Sequence, residues 1–454
     1  MGSPTDRRRC GPLLAGSFAV LYLCFLTRNY YWDGLSFAID IERISDWREL
    51  FNVHHLLYNF IGYAEYRVLH RAVRSLYLMQ ATNAVAGAAV VWLVYRMLRS
   101  LDVNRANSAA CAAILGAAAT FWKFSTDADS YILSNMFLVA AYLVIPRAPL
   151  RGALLHVCAM MMHQLAALFF PVALALMWSA RTERFRREAW AYSAVSAGLT
   201  LGVYGIAYQL APHKLANSFV GWLTYHSEIP FVFQARTGAG WLVLGTARLF
   251  VGGKLAPLAY VVGPISLALL GWGAARLWRS RAELGPVASA WPLLVWLGVY
   301  LAFLFVWEPH NTFYRLFYAA PLVALLAVAT RRLPARPLAS IAAALLCWNF
   351  FLFIYPDTRV EKNSLLAYAL AQQKQWPRGT GIIFGRLVPD LWTISYFNPQ
   401  VYWIPLERPD PGRVAQYAAE LARHGGKLYL DTTYRERAGL PANGSRFELV
   451  PPGR

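Results

Sequence analysis

The chain is poor in charged residues, and acids are scarcer than bases. Of its 454 residues, 15% are charged and 57% are hydrophobic, and 24 Asp and Glu stand against 43 Lys and Arg. A soluble protein of this size carries roughly a quarter charged residues. Several apolar runs approach or exceed the roughly 20 residues that cross a bilayer. We therefore predict a polytopic α-helical membrane protein.

Cysteine is also sparse, and motifs for nucleic acids are missing. The five cysteines form no CxxC pair and lie mostly in or beside apolar segments, so we expect neither a disulfide framework nor a zinc site. The net charge of +19 does not indicate a nucleic-acid partner, because the Lys and Arg residues form short clusters between apolar segments. That pattern is typical of cytoplasmic loops facing anionic headgroups, so membrane lipids are the predicted partners.

These basic clusters predict the orientation of the chain. The cluster at 7–9 places the N-terminus in the cytoplasm, and the C-terminal 356–454 then lies outside. A long polar-aromatic loop, 208–253, is also predicted outside. We predict about 11 transmembrane helices, near residues 12–27, 76–97, 107–123, 131–145, 152–179 (two helices with a turn at His163-Gln164), 189–207, 256–275, 287–306, 313–329 and 337–354.

Four polar clusters fall on the outer side of this topology, although only basic loops were used to build it. They read YYWDG, TDADS, MMHQ and WEPHN. Polar residues at membrane depth are costly and usually functional. We therefore predict one site at the outer interface of a transmembrane domain, 1–355, in which residues 28–75 form an extracytoplasmic catalytic loop with an interfacial helix.

The first loop supplies the leading candidate for a catalytic base. Asp33 lies between aromatic residues and a glycine, in surroundings that raise a carboxyl pKa and suit a general base. Asp40 and Glu42 follow about two helical turns later and can share its face. The alternative is a loop aspartate that caps a helix starting near Leu35.

Histidines open the next apolar stretch. His54 and His55 stand at headgroup level, where they can bind a phosphate or orient the acid. The alternative is an interfacial pair bonded to the backbone. His163 and Gln164 interrupt another apolar run, and polar groups there need partners. We predict substrate contacts for all four, with an inter-helix hydrogen bond as the alternative for His163.

Two carboxylates two residues apart follow the third span. Asp127 and Asp129 can hold a sugar hydroxyl or a divalent cation (Mg²⁺ or Mn²⁺), or they can simply cap the next helix. Asp129 is therefore a further candidate catalytic residue. Lys123, one helical turn earlier, can pair with these acids or hold a phosphate. The metal requirement stays open.

A last polar cluster follows the ninth span. Arg315 has a guanidinium suited to phosphate or pyrophosphate, and Arg74 is an alternative, with snorkelling at the interface as the other interpretation. The remaining predicted substrate-binding residues of this cluster are Glu308, His310 and Asn311.

The tail has a different composition. It is polar and rich in proline, with apolar stretches in GTGIIFG, VYWIPL and KLYLDTT and an amphipathic segment in RVAQYAAELARHGG. These patterns predict three strands and a helix. We therefore predict a small extracytoplasmic α/β domain at 356–454, without a nucleotide-binding glycine motif.

The order of these motifs resembles the GT-C superfamily of membrane glycosyltransferases. Within it, the chain is most similar to a bacterial branch related to protein O-mannosyltransferases. The segments that carry the resemblance are Asp33-Gly-Leu-Ser-Phe37, His54-His55-Leu-Leu-Tyr58, Asp129-Ser-Tyr131-Ile-Leu-Ser-Asn135, Met162-His163-Gln164-Leu165 and the W-x-P-x-N at 307–311. The resemblance covers about residues 1–330 and leaves out the tail.

The resemblance implies a GT-C-like fold and inverting transfer of a sugar from a polyprenyl-phosphate carrier to a lipid, glycan or protein acceptor. It implies that Asp33 is the base, that a basic residue holds the carrier phosphate and that the isoprenoid lies in an apolar groove. We predict an integral protein of the bacterial inner membrane. The alternatives are a lipid or polysaccharide transporter or flippase, a membrane-bound acyltransferase with His163 as base, and a non-catalytic assembly factor.

Overall fold

The computed structural model describes most of the chain. The residues described are 6–180, 184–212, 218–224, 235–254, 257–373, 375–385, 389–406, 408–441 and 447–450. The chain divides into two compact units. The first comprises Met1–Thr27 and Asp40–Thr358, and the second comprises Arg28–Ile39 and Arg359–Arg454. Part of the first loop thus belongs to the same unit as the tail.

The first unit is helical. Four of its helical segments are long and apolar enough to cross a membrane, and several shorter apolar helices accompany them. The four segments are Ser75–Ser100, Ala259–Arg279, Ala288–Val306 and Arg336–Asp357. Its helices are α1 Asp6–Cys24, α2 Trp32–Arg43 (which begins in the second unit), α3 Tyr58–Val68, α4 Ser75–Ser100, α5 Arg105–Ala117, α6 Ala119–Ser125, α7 Tyr131–Val144, α8 Pro149–Met162, α9 Phe170–Ser179, α10 Phe185–Leu210, α11 Phe219–Leu223, α12 Ala235–Phe250, α13 Ala259–Arg279, α14 Trp291–Val306, α15 Leu316–Ala329, α16 Arg336–Asn349 and α17 Tyr355–Asp357.

Helix α4 lies at the centre of this bundle. It packs against α1, α5 and α7, while α7 packs against α8 and α8 against α10. Its apolar residues face the interior, where Val91, Val94 and Leu98 are fully or almost fully buried. Between membrane helices such contacts stabilise the bundle through close packing, because lipid tails are as apolar as these side chains. The bundle therefore holds the polar residues of α4 in fixed positions.

The helices are interrupted at two places, next to polar residues of the interior. The predicted third span is interrupted at Ala118, whose extended backbone (ψ 134°) separates α5 from α6. The predicted turn near His163 is confirmed, because His163 is extended (φ −156°, ψ 127°) and a 3₁₀ turn, Gln164–Phe169, follows it. Each break frees backbone groups that then bond to side chains of other helices.

The prediction of a long polar-aromatic loop at 208–253 is wrong for its last third. Helix α12, Ala235–Phe250, occupies that part, and residues 213–217 and 225–234 lie outside the described residues. Glycine and threonine, scattered through this segment, obscured an apolar helix that contains Trp241, Leu244 and Leu249. Tertiary packing stabilises such a helix despite its weak intrinsic propensity.

The second unit contains a four-stranded sheet in the order β2-β1-β3-β4, formed by β1 Gly381–Phe384, β2 Tyr402–Pro405, β3 Leu428–Asp431 and β4 Phe447–Leu449. Strand β1 pairs parallel with β2 and β3, and β4 is antiparallel to β3. The helices are α18 Ser364–Gln372, α19 Pro389–Phe397, α20 Pro411–Arg423 and α21 Thr432–Arg437. The three predicted strands and the amphipathic helix are confirmed, whereas β4, α18, α19 and α21 were not predicted.

Candidate functional site

A buried loop between α6 and α7, residues 126–130, is the centre of the candidate site in the first unit. Two amide side chains of α4 hold it. Gln80 Nε2 donates to the carbonyl oxygen of Thr126 (2.8 Å), and Asn83 Nδ2 donates to those of Asp127 (2.7 Å) and Asp129 (2.5 Å). Buried carbonyls need such donors. The amides therefore fix the loop, which we call the α6–α7 loop, in the bundle.

The two carboxylates of the α6–α7 loop have different surroundings. Asp127 is fully buried and accepts a hydrogen bond from Lys123 Nζ at 2.6 Å. Asp129 is also fully buried and accepts the backbone N–H of Ser130 at 2.6 Å. Among the described residues, no group of three or more His, Cys, Asp or Glu side chains is placed to hold a metal ion. The divalent cation therefore stays a prediction.

His55 joins the α6–α7 loop to the end of α8. Its Nδ1 lies 2.7 Å from Ser130 Oγ and 3.2 Å from the carbonyl oxygen of Met162. The hydroxyl can donate to this nitrogen, or the nitrogen can donate to the carbonyl, so the tautomer decides which bond forms. His55 thereby ties the first loop to two helix ends that lie far apart in sequence.

His54 makes a parallel connection. Its Nδ1 lies 2.9 Å from Gln164 Oε1, and Gln164 Nε2 donates to the carbonyl oxygens of Val53 (3.0 Å) and Leu223 (3.2 Å). The amide thus closes a bridge between the first loop and the segment after α8. The first loop and MMHQ therefore lie together, while their position at the outer interface stays a prediction.

Aromatic rings surround the side chain of His163. Its ring centroid is 4.8 Å from that of Tyr131, 5.0 Å from that of His55 and 5.2 Å from that of Phe317. Its Nδ1 accepts the backbone N–H of Leu165 at 3.1 Å. A nitrogen that accepts cannot carry a proton, so the neutral ring has its proton on Nε2.

Arg315 follows Tyr314, whose ring centroid lies 5.8 Å from that of His163. The residue is fully buried, and its Nη2 donates to the carbonyl oxygens of Trp241 (2.7 Å) and Pro309 (2.5 Å). The hydroxyl of Tyr318 lies beside the guanidinium. Among the described residues, however, no acceptor is in hydrogen-bonding geometry with Nε or Nη1. A buried guanidinium with unused donors is costly unless an anion joins it.

The neighbouring residues of the same cluster lie elsewhere. Glu308 and His310 form a pair at 3.1 Å, with the His310 side chain 61% exposed. Asn311 Oδ1 accepts the backbone N–H groups of Phe313 (3.1 Å) and Tyr314 (3.3 Å). Asn311 therefore caps the turn that carries Arg315.

Arg74 is paired with Glu42, which the sequence places on the same face as Asp33. Its Nη2 donates to Glu42 at 2.8 Å, and Glu42 also accepts the backbone N–H (2.9 Å) and the hydroxyl (3.0 Å) of Ser75. A carboxylate at the first turn of α4 also suits the positive end of the helix dipole. These contacts anchor the start of α4.

The candidate acids of the first loop lie on helix α2. Asp33 is in its first turn and half-buried, and it belongs to the second unit. Asp40 belongs to the first unit. Incomplete hydration raises the pKa of the Asp40 carboxyl from its ordinary 3.8 to about 6, and the charge of Glu49 adds to the shift. Because the side chain is exposed, water screens part of these effects.

We predict that Asp40→Asn raises thermal stability at pH 7 but not at pH 4. The folded state holds the Asp40 proton more tightly than the unfolded chain does, so stability falls as pH rises from about 4 to about 6. Asparagine does not titrate, so the stability of the variant does not fall in this way. Melting temperatures of the purified full chain at pH 4, 5, 6 and 7 test this.

Asp46→Asn is the control, because its effect on stability should have the opposite sign. Hydrogen bonds from Arg48 lower the pKa of Asp46, so this variant should be less stable than the wild type at pH 7 and approach it at low pH. An Asp40→Asn melting temperature that parallels that of the wild type at every pH would show that the pKa of Asp40 is ordinary.

Gln80 and Asn83 were missed in the sequence. They stand three residues apart in an apolar helix, which places them on one face. This spacing is a usable signal, because two amides in an apolar run need partners. Their carbonyl acceptors lie more than 40 residues away, so the partners themselves are not readable from the sequence.

The chain matches no known family model and no curated protein. Among solved structures, it is similar to the crystal structure of ArnT from Cupriavidus metallidurans bound to undecaprenyl phosphate, with 11% sequence identity and a TM-score of 0.63. This comparison covers 97% of the chain and 96% of that protein. The same protein in the apo state gives 11% identity, 94% coverage of each chain and a TM-score of 0.47.

The first of these comparisons shows that the chain shares the fold of ArnT. The fold expected from the resemblance is therefore confirmed. The shared fold and the four helical segments long and apolar enough to cross a membrane support the predicted integral membrane protein. The relation to the O-mannosyltransferase branch and the number of 11 spans stay predictions.

Proposed function

We propose that the chain transfers a sugar from a polyprenyl-phosphate carrier to a lipid, glycan or protein acceptor at the extracytoplasmic face of the bacterial inner membrane. The supporting observation is the shared fold, over 97% of the chain, with ArnT bound to undecaprenyl phosphate. The buried polar cluster around the α6–α7 loop adds to it, since a stable bundle does not need so many polar groups.

In the proposed reaction, Asp33 is the general base. The acceptor oxygen or nitrogen forms a bond to the anomeric carbon, and the bond from that carbon to the carrier phosphate oxygen breaks. Asp33 takes the acceptor proton, while the departing phosphate keeps the electron pair. Attack opposite to the leaving phosphate inverts the anomeric centre. Asp40 and Asp129 are the alternative bases.

Arg315 is the proposed ligand of the carrier phosphate. Of the lysine and arginine residues predicted to hold a phosphate, Lys123 is paired with Asp127 and Arg74 with Glu42. Arg315 donates through Nη2 to main-chain carbonyls and lies beside the Tyr318 hydroxyl, and its Nε and Nη1 keep donor capacity among the described residues. An anion at these donors offsets the cost of burying the guanidinium.

The histidines serve as positioning residues in this proposal. His55 and His54 tie the first loop to the α6–α7 loop and to Gln164. Because Nδ1 of His163 accepts a backbone N–H, neither ring nitrogen has a lone pair available for a base. This geometry favours the glycosyltransferase over the acyltransferase alternative, in which His163 would abstract a proton.

Gly245→Ala should raise the KM for the carrier-linked sugar by roughly tenfold to a hundredfold. A Cβ at Gly245 would lie 2.0 Å from Arg315 Nε, so the guanidinium must move. Hydrogen bonds to a charged group contribute about 1.5–3 kcal/mol each, which corresponds to that range. Initial rates over a series of donor concentrations measure the effect.

Gly240→Ala is the matched control in the same helix, because a Cβ there meets no atom within 4 Å. Both variants gain the same helix propensity, so only the displacement of Arg315 separates them. Equal KM values for the two variants would show that Arg315 does not bind the donor.

The proposed function is tested by supplying purified full chain in lipid nanodiscs with a panel of labelled donors. Polyprenyl-phosphate sugars of several sugar types are compared with the matching nucleotide sugars, and native envelope extract provides the acceptors. We expect label transfer, with release of polyprenyl phosphate, from at least one lipid-linked donor and from none of the nucleotide sugars. Movement of the intact donor between leaflets without transfer would support the transporter instead.

A further inference from the structure

A cavity of about 890 Å³ lies at the other end of the first unit from the candidate site. Helices α4, α7 and α8 connect the two places. Helix α4 holds Asn83 near its start and Arg96 near its end, α7 runs from Tyr131 to the cavity residue Val144, and α8 runs from the cavity residue Arg151 to Met162. The cavity is therefore separate from the histidine cluster. Basic loops predict its end of the bundle to be cytoplasmic.

The wall of the cavity is largely apolar. Leucine side chains from four helices contribute to it, and they are Leu93, Leu143, Leu154, Leu155 and Leu176. Its size falls within the roughly 300–1,000 Å³ of sites that enclose small molecules. An apolar space at the membrane surface is suited to hydrocarbon rather than to a free ion.

Three arginines also line the cavity. They are Arg96, Arg147 and Arg151, all exposed, and no acidic residue accompanies them among the described lining residues. Arg96 lies over the ring of Trp92, with 5.1 Å from the guanidinium carbon to the ring centroid. The combination of three positive charges with a leucine wall matches a molecule that is anionic at one end and apolar at the other.

The start of helix α8 adds to the positive potential. Ala148, a lining residue, is its N-cap and makes no side-chain capping hydrogen bond. The first N–H groups of a helix carry partial positive charge and attract phosphate groups. The arginines and this helix end therefore act on the same anionic group.

We propose that this cavity binds one anionic phospholipid of the surrounding leaflet. The headgroup phosphate contacts Arg96, Arg147 and Arg151, and an acyl chain lies along the leucine wall. A water-soluble phosphate would leave that wall uncovered, and a zwitterionic lipid would bring its own cation to the arginines. This inference is independent of the proposed transfer reaction, and its test requires no activity.

The test uses the purified full chain in detergent, with native mass spectrometry to count retained lipids. Phosphatidylglycerol and phosphatidylcholine of equal acyl chains are added together. We expect preferential retention of one phosphatidylglycerol. The Arg147→Gln/Arg151→Gln variant should retain at least about tenfold less, because each arginine near an anionic lipid contributes about fivefold. If the wild type retains the two lipids equally, the proposal is overturned, whatever the variants show.

Arg186→Gln/Arg187→Gln is the matched control, since these exposed arginines of α10 lie at the same end of the bundle but outside the cavity lining. It should retain phosphatidylglycerol as the wild type does, and equal loss in both double variants would indicate unspecific charge attraction. Displacement of phosphatidylglycerol by equimolar inorganic phosphate, or preferentially by polyprenyl phosphate, would assign the cavity to those ligands and overturn the phospholipid proposal.

Discussion

Asp33→Asn is expected to lower the rate of sugar transfer by roughly 10²–10⁴-fold while the protein stays folded. An amide keeps the size of the carboxylate but cannot take a proton, and general base catalysis accounts for an effect of this magnitude. Asp33 lies in the first turn of helix α2, where an asparagine is also a good helix-start residue. The measurement is single-turnover transfer from the active donor in nanodiscs.

Glu361→Gln is the control for this variant. It neutralises an acid in the same unit whose side chain is 79% exposed and lies 4.0 Å from Arg359, so transfer should be unchanged. Full activity of Asp33→Asn would exclude Asp33 as the base and direct the same substitution to Asp40 and Asp129. Loss of melting temperature along with activity would instead indicate a structural role.

Lys123→Met should lower the free energy of unfolding by about 3–5 kcal/mol, the cost of leaving one partner of a buried ion pair behind. The Lys123 side chain is 12% exposed, Asp127 is fully buried, and their charged atoms are 2.6 Å apart. Lys123 Nζ also donates to Thr27 Oγ1 at 3.2 Å. The variant therefore loosens the α6–α7 loop as well. Reversible denaturation in mixed micelles measures the change.

Two comparisons isolate the ion pair. Lys254→Met removes an exposed lysine of the same unit and should change stability by less than about 0.5 kcal/mol. Lys123→Met/Asp127→Asn should recover part of the loss, since the uncompensated charge is gone. A cost for Lys123→Met as small as that of Lys254→Met would mean that water reaches Asp127 freely.

Much of the architecture follows from local pattern. The apolar runs predict helices because each must bury or face lipid along its whole length. In the tail, the segments that became β1, β2, β3 and α20 were identified from short apolar runs and one amphipathic period. Helix α12 was not recognised, because glycine and threonine dilute its apolar pattern and only packing against its neighbours stabilises it.

The sequence by itself determined the membrane class, the break at His163 and the list of polar residues that need partners. Only the tertiary structure decided which partners they have. Lys123 finds Asp127 four residues away, which the sequence allows, but Arg74 finds Glu42 32 residues away and Arg315 reaches the carbonyl of Trp241 from 74 residues away. The strength of an ion pair or hydrogen bond depends on distance and burial, which helix packing determines. Sequence spacing alone could therefore not show that Arg315, rather than Lys123 or Arg74, keeps donors available.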